Sequence, residues 1–216
     1  RLYEGVRDLP LVCPHGHVPP ALLADPDARF GDPAELFIIP DHYVVRMLYS
    51  RGVPMEDLGV PSRDGTPVEE DRREVWRRFC QHFHLFAGTP SGLWLKAELI
   101  ELFGLEEKPS AESADRTFDA LQERLASDEY RPRALFSRFG IETLATTDAA
   151  GDDLRHHERL REDGLPVIPT FRPDAVLHLA QEGWREALAR LEELTGSTIE
   201  TSRALLEALG QRRSYF

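Results

Sequence analysis

His15-Gly16-His17 follows the short apolar run Leu9 to Pro14 and is stopped by Pro19-Pro20. In an extended segment residues two apart point to the same side, so the two imidazoles reach one point together. Two imidazoles separated by a small residue at a strand end suit Zn²⁺ or a similar divalent ion. Gly16 would keep the space between the rings clear and let the backbone bend. Two loop histidines beside a proline turn account for the same spacing without a metal. Three further stretches carry usable chemistry. Asp41-His42-Tyr43 opens a helical pattern with Asp41 as N-cap, which puts His42 and Tyr43 in the first turn, where side chains often face a ligand. Arg46 is one turn along from His42, as a ligand contact or as an ion-pair partner. Thr147-Asp148 and Arg172-Pro173-Asp174 each follow an apolar, β-rich segment. Asp148 suits a site residue, a helix cap or a loop tie; Arg172 suits a carboxylate clamp or a partner for Asp174.

The elements that must hold these residues read as follows. Leu9 to Pro14 is a short buried strand, and Pro33 to Ile39 is a brief helix or strand. Asp41 to Ser50 is a helix closed by Gly52. Val68 to Phe86 is a charged amphipathic helix; Gly92 to Phe103 is a second, with Trp94, Leu95, Leu99, Ile100 and Phe103 at core spacing, and Ser113 to Ser127 is a third, with Phe118, Leu121 and Leu125 on one face. The pattern then alternates: strand Gly140 to Thr147, helix Asp152 to Asp163, strand Leu165 to Phe171, a long helix Ala175 to Leu194 and a last helix Ser202 to Gly210. Strand and helix in alternation predict βαβ units and a parallel sheet. The chain therefore divides into residues 1–53 (the first strand and the histidine pair), a helical insertion 54–138, and βα units over 139–216. His15 and His17, Thr147 and Asp148, and Arg172 and Asp174 collect at the C-terminal ends of strands, the face on which (β/α)₈ barrels carry their active sites.

The other histidines and the cysteines are set aside. His82 and His84, if both lie on one helix, are about 200° apart around its axis and cannot share a metal. His156-His157 falls in a charged helix and reads as solvated, while His178 reads as packed or exposed. Cys13 reads as a buried thiol. With only two distant cysteines, Cys13 and Cys80, a reducing compartment is expected, a single disulfide being the alternative. There is no GxSxG, Walker or GxGxxG signature.

The 216 residues carry a net charge of −12, with 41% hydrophobic and 30% charged residues. That is a globular composition, and its negative field disfavours nucleic acid or an anionic membrane as partner. No run approaches a membrane span and no signal-peptide pattern opens the chain. Starting at Arg1 and ending without a recognisable closing element, the sequence reads as a fragment.

Taken together, Pro14-His-Gly-His17, Asp41-His-Tyr-x-x-Arg46, Gly88-Thr-Pro90 with Trp94, Thr146-Thr-Asp148 and Pro169-Thr-Phe-Arg-Pro-Asp174 resemble the uronate isomerase (glucuronate isomerase) family of the amidohydrolase superfamily. The resemblance covers about the first half of such an enzyme. It implies an α/β fold, a (β/α)₈ TIM barrel with a helical insertion, present here as a partial barrel. It implies a cytoplasmic aldose–ketose isomerase of sugar-acid catabolism that converts D-glucuronate or D-galacturonate to the ketose through an enediol. His15 and His17 would hold a divalent metal, Zn²⁺ by expectation. Tyr43 and His42 would handle protons, and Arg172, Asp148 and Arg46 would bind the hexuronate. Partners would be the small-molecule substrate and, in a homo-oligomer, further copies of the chain. A metal-dependent hydrolase or decarboxylase of the same superfamily is the alternative enzyme. An inactive half-barrel that needs a partner is the alternative to an enzyme.

Overall fold

Five short strands, all paired in parallel, order the first part of the structure. In the computed structural model, which describes residues 2–216, they are β1 (Leu11–Cys13), β2 (Ile141–Ala145), β3 (Asp148–Ala149), β4 (Val167–Ile168) and β5 (Phe171–Arg172). β2 lies between β1 and β4 in one sheet, and β3 pairs with β5 in a second. Three backbone bonds continue the ladder across the breaks: Thr146 N–H to Ile168 O, Asp148 N–H to Thr170 O, and Ala150 N–H to Arg172 O. The second break falls at Pro169, which has no N–H to give. So β2–β3 and β4–β5 act as two longer strands, close to the predicted pair.

Helix Arg155–Glu162 connects them and packs Leu160 against Leu144, Val167, Leu23 and Phe136. This is the predicted strand–helix–strand unit, and the fold is α/β with parallel strands. One expectation fails at β1. Leu11 and Val12 are 48% and 61% exposed, because only the β2 side of this strand is paired among the described residues.

A second core of Ala150, Val176, Leu191, Ile199, Ala208 and Leu209 lies under the C-terminal helices. The predicted single helix Ala175 to Leu194 is instead two helices, Asp174–Leu177 and Trp184–Thr195. Gly183 adopts φ 81°, a left-handed turn open to glycine, and the chain restarts there. The Trp184 indole N–H donates to Val176 O at 2.9 Å, satisfying a carbonyl that the break leaves free. The last helix, Ser202–Tyr215, runs past the predicted end at Gly210. Buried Arg212 anchors that extension, donating to the Ala150 and Asp152 carbonyls.

The parallel-strand unit comprises the described residues up to Ala28 together with Leu135–Phe216; a separate helical unit spans Arg29–Ala134. The helical unit takes in residues 29–53, which the sequence reading groups with the first strand, because Phe37, Ile38, Val44 and Leu48 share one core with Trp76, Phe79, Phe103 and Leu121. Pro33–Phe37 is a helix, decided by Asp32, whose carboxylate accepts from Ala34 N–H and Glu35 N–H. The expected long helix from Val68 is shorter, Arg72–Gln81, capped by Asp71 and followed by a 3₁₀ turn, Phe83–Phe86. His82 sits in that junction, so His82 and His84 do not share a helix, and their ring centres lie 6.3 Å apart. Helix Pro90–Lys96 passes into a π-type turn at Ala97–Leu102, and Ala114–Leu125 forms the predicted third helix. Trp76 is fully buried with its indole N–H donating to Thr117 Oγ1 at 3.1 Å. Cys80 is buried beside it, which pushes its thiol up to about 12.

Candidate functional site

The site in the parallel-strand unit starts where β1 ends. The His15 and His17 rings meet edge to face, with their Nε2 atoms 2.9 Å apart. Both histidines are exposed. One ring donates to the other according to tautomer, and the same two lone-pair positions converge as a pair of metal donors would. No third His, Cys, Asp or Glu joins them among the described residues. The donor pair fits a divalent ion as two of its ligands and does not complete a shell.

Two long-range contacts set this geometry. Thr147 Oγ1, at the end of β2, donates to Gly16 O at 2.5 Å. A Cβ on Gly16 would meet the Ala145 carbonyl oxygen at 2.8 Å and Leu144 Cδ1 at 3.0 Å. Glycine is therefore required by the approach of the β2 backbone, rather than by the space between the two rings.

Asp148 and Arg172, both predicted for the site, occupy different environments. Asp148 is 4% exposed. Its Oδ2 accepts from Thr146 Oγ1 at 2.6 Å and from Thr170 N–H at 3.2 Å. The carboxylate thus ties the two long strands together just before Arg172. Arg172 is half-exposed; its Nε donates to Asp174 Oδ2 at 3.0 Å, which holds the Asp174 carboxyl below the usual range. The pairing with Asp174 is present, and the terminal amino groups of Arg172 carry no hydrogen bond among the described residues. A cavity of about 210 Å³ adjoins it, lined by Gly151, Asp152, Ala149 and Arg190.

His157 was missed. The sequence reading places it in solvent, yet it is 6% exposed, with Nε2 2.8 Å from Thr146 Oγ1 and 3.7 Å from Asp148 Oδ2. Burial lowers its pKa, and the Asp148 carboxylate opposes that only in part. Its Nδ1 is buried without a hydrogen-bond partner among the described residues. A signal was available: His157 is three residues after Leu154 and three before Leu160, so it shares their apolar face. Thr146, His157 and Asp148 together form one buried polar cluster under the strand ends. His178, by contrast, is exposed and bonded to Gln181, and Cys13 is half-buried rather than buried.

In the helical unit, Asp41 caps helix His42–Tyr49 as predicted, accepting from Tyr43 N–H and Val44 N–H. The His42 and Tyr43 rings lie side by side with centres 4.2 Å apart. Tyr43 and Arg46 line a cleft of about 670 Å³ together with Met47, Thr89, Ser91 and Trp94. So the Asp-His-Tyr-x-x-Arg and Gly-Thr-Pro segments, about 45 residues apart, form one surface feature. Arg46 makes no ion pair among the described residues.

The family model for glucuronate isomerase matches residues 1–216. The chain belongs to the glucuronate isomerase family. It is 55% identical over 217 residues to the uronate isomerase of Nostoc punctiforme (strain ATCC 29133 / PCC 73102) and 50% identical over 218 residues to that of Rhizobium meliloti (strain 1021). In each case the match takes in 100% of this chain and 46% of the relative. The crystal structure of glucuronate isomerase from Caulobacter crescentus superposes with a TM-score of 0.93 at 45% identity, over 100% of this chain and 45% of that one. The chain thus spans about half the length of the glucuronate isomerase relatives it matches.

Proposed function

We propose that this chain serves the aldose–ketose isomerisation of a hexuronate, D-glucuronate or D-galacturonate, in the cytoplasm, and that its parallel strands belong to a (β/α)₈ barrel carrying a helical insertion. The observation that supports this most is the match along the whole chain to the glucuronate isomerase family, with a convergent histidine pair and a half-exposed guanidinium at the strand ends.

In the reaction C2 gives up its proton, C1 gains one, and the O2 proton moves to O1, so mass is conserved. Arg172 binds the substrate carboxylate through its free amino groups, while Asp174 fixes the guanidinium from the Nε side. Arg46 adds a second cation, unpaired within its cleft, for the same anionic class. Tyr43 and His42 move the protons as acid and base. Asp148 acts by holding the strands that carry Arg172, its carboxylate being buried and bonded. His15 and His17 would hold a divalent metal, Zn²⁺ by choice of donors. Such an ion supplies orientation and polarisation of substrate oxygens.

The test is an assay of the protein with D-glucuronate and D-galacturonate, following loss of aldehyde and gain of ketose, beside Arg172→Ala and His15→Ala. Turnover that both substitutions abolish is expected. A folded, zinc-supplied protein that turns over neither sugar, or a product whose mass changes as in hydrolysis, overturns the reading.

A further inference from the structure

Of the 26 lysine and arginine residues only two are lysines, Lys96 and Lys108. Both line the same cavity in the helical unit, about 430 Å³ in volume and walled by Phe83, Phe86, Leu93 and Leu99. Many of the arginines are engaged with carboxylates, as in the Arg73–Asp119, Arg77–Asp115 and Arg116–Glu107 pairs. The two lysines have no carboxylate partner among the described residues; Lys108 Nζ stands 5.8 Å from the centre of the Phe83 ring. In a chain of net charge −12 with 38 acidic side chains, two unpaired ammonium groups beside one apolar hollow form a local inversion of the protein's field.

The backbone shapes this hollow. Gly92 packs so closely on the Phe86 carbonyl that no Cβ fits there. Leu99 and Ile100, also in the wall, lie in the π-type turn, where Phe103 N–H reaches back five residues to Glu98 O at 2.9 Å. Such turns occur often at functional sites. Leu93 and Ile100 remain 68% and 40% exposed although both are apolar. A cavity of this size, mostly apolar with a few polar groups, has the character of a small-molecule site.

We propose that this cavity binds an amphipathic organic anion, a small carboxylate with an aromatic or aliphatic body, whose apolar part lies on Phe83, Phe86 and Leu99 and whose charge meets Lys96 and Lys108. A hexuronate is outside this class, because it carries hydroxyls around its ring and lacks the apolar body that Phe83, Phe86 and Leu99 would cover. The site is therefore independent of the proposed isomerase chemistry.

The test is calorimetric titration of the chain with 4-phenylbutyrate, its neutral isostere 4-phenylbutan-1-ol, and D-glucuronate, with NMR to locate the perturbed residues. Saturable one-site binding of 4-phenylbutyrate is expected, with shifts around Phe83, Lys96 and Leu99. The alcohol should bind about tenfold more weakly, as should the carboxylate to the double variant Lys96→Gln/Lys108→Gln, because each loses charge-assisted contacts. Both lysines are exposed, so these substitutions leave the core intact. Ile100→Trp, which fills the cavity from its wall, should abolish binding. Equal affinity for the alcohol, unchanged affinity in the double variant, non-saturating binding, or shifts confined to other surfaces each overturns the proposal.

Discussion

Thr147 Oγ1 donates to Gly16 O at 2.5 Å, binding the turn between the two site histidines to a strand end 131 residues away in sequence. If His15 and His17 hold the metal proposed above, this bond supports the turn that carries both ligands, and loss of such supporting contacts typically costs 10–100-fold in metal affinity. Thr147→Val keeps the shape and removes the donor; zinc affinity, read by competition with a chromogenic chelator, should fall about tenfold. Thr147→Ser should retain it. Equal affinity in the valine variant would show that the bond has no part in holding the pair.

Protonation of His157 is opposed by its burial, so its folded pKa lies below the ordinary histidine value. The unfolded state then binds more protons than the folded state between the two values. Stability should be full above about pH 6.5, the unfolded value, and decline as pH falls below it. Urea midpoints measured from pH 8 to pH 5 test this, and His157→Gln should flatten the decline. A wild-type profile no steeper than the variant's would contradict the assignment.

Arg212 satisfies two carbonyls, Ala150 O and Asp152 O, from a position only 5% exposed, and its guanidinium lies over the Tyr215 ring at 4.5 Å. Arg212→Ala leaves those acceptors without their donors, at about 1–3 kcal/mol for each unsatisfied buried group. Chemical denaturation should report a loss of about 2–6 kcal/mol. Lysine at this position should recover little, since it lacks the planar fork.

Thiol chemistry should separate the two cysteines. Cys80 is buried and its thiol is pushed up to about 12, whereas Cys13 is half-buried. The thiolate is the reacting species. Ellman's reagent should titrate one thiol in the native chain and two in denaturant, with mass spectrometry placing the native label on Cys13. Rapid native labelling of Cys80 would mean that the helical core opens.

The core of the helical unit should respond as a close-packed interior. Trp76 is fully exclosed from solvent, packed on Phe79 and Phe37, and bonded to Thr117. Trp76→Ala should cost about 3–5 kcal/mol, with Trp76→Phe costing less while still breaking the Thr117 bond. A loss under 1 kcal/mol in the alanine variant, by urea unfolding, would require a core that collapses around the gap.

Much of the architecture was legible in local chemistry. Asp41 caps its helix as its residue type and place dictate, because the cap is made with backbone two and three residues on. The alternation of strand and helix from Gly140 onward follows from hydrophobic periodicity, which is also local. Where prediction slipped, a distant partner or a backbone turn had intervened. Continuous helical spacing over Ala175 to Leu194 gave no sign that Gly183 would turn left-handed and that Trp184 would bond back to Val176. The charged composition around His157 outweighed its three-residue spacing from Leu154 and Leu160, and burial followed the spacing.

By itself the sequence determined the residue types at the strand ends: two imidazoles with one glycine between them, an aspartate after Thr146-Thr147, and an arginine before Pro173. It determined the family as well, since the spaced motifs are a property of order along the chain. Only the tertiary structure decided what each group does with its neighbours. Asp148 became a buried tie between strands, Thr147 a fastener for the histidine turn, and Tyr43 and Arg46 joint walls of a cleft with Trp94. The physical reason is common to all three. Spacing fixes which face a side chain occupies within one element, whereas its hydrogen-bond partners and its exposure depend on elements that folding brings from far along the chain.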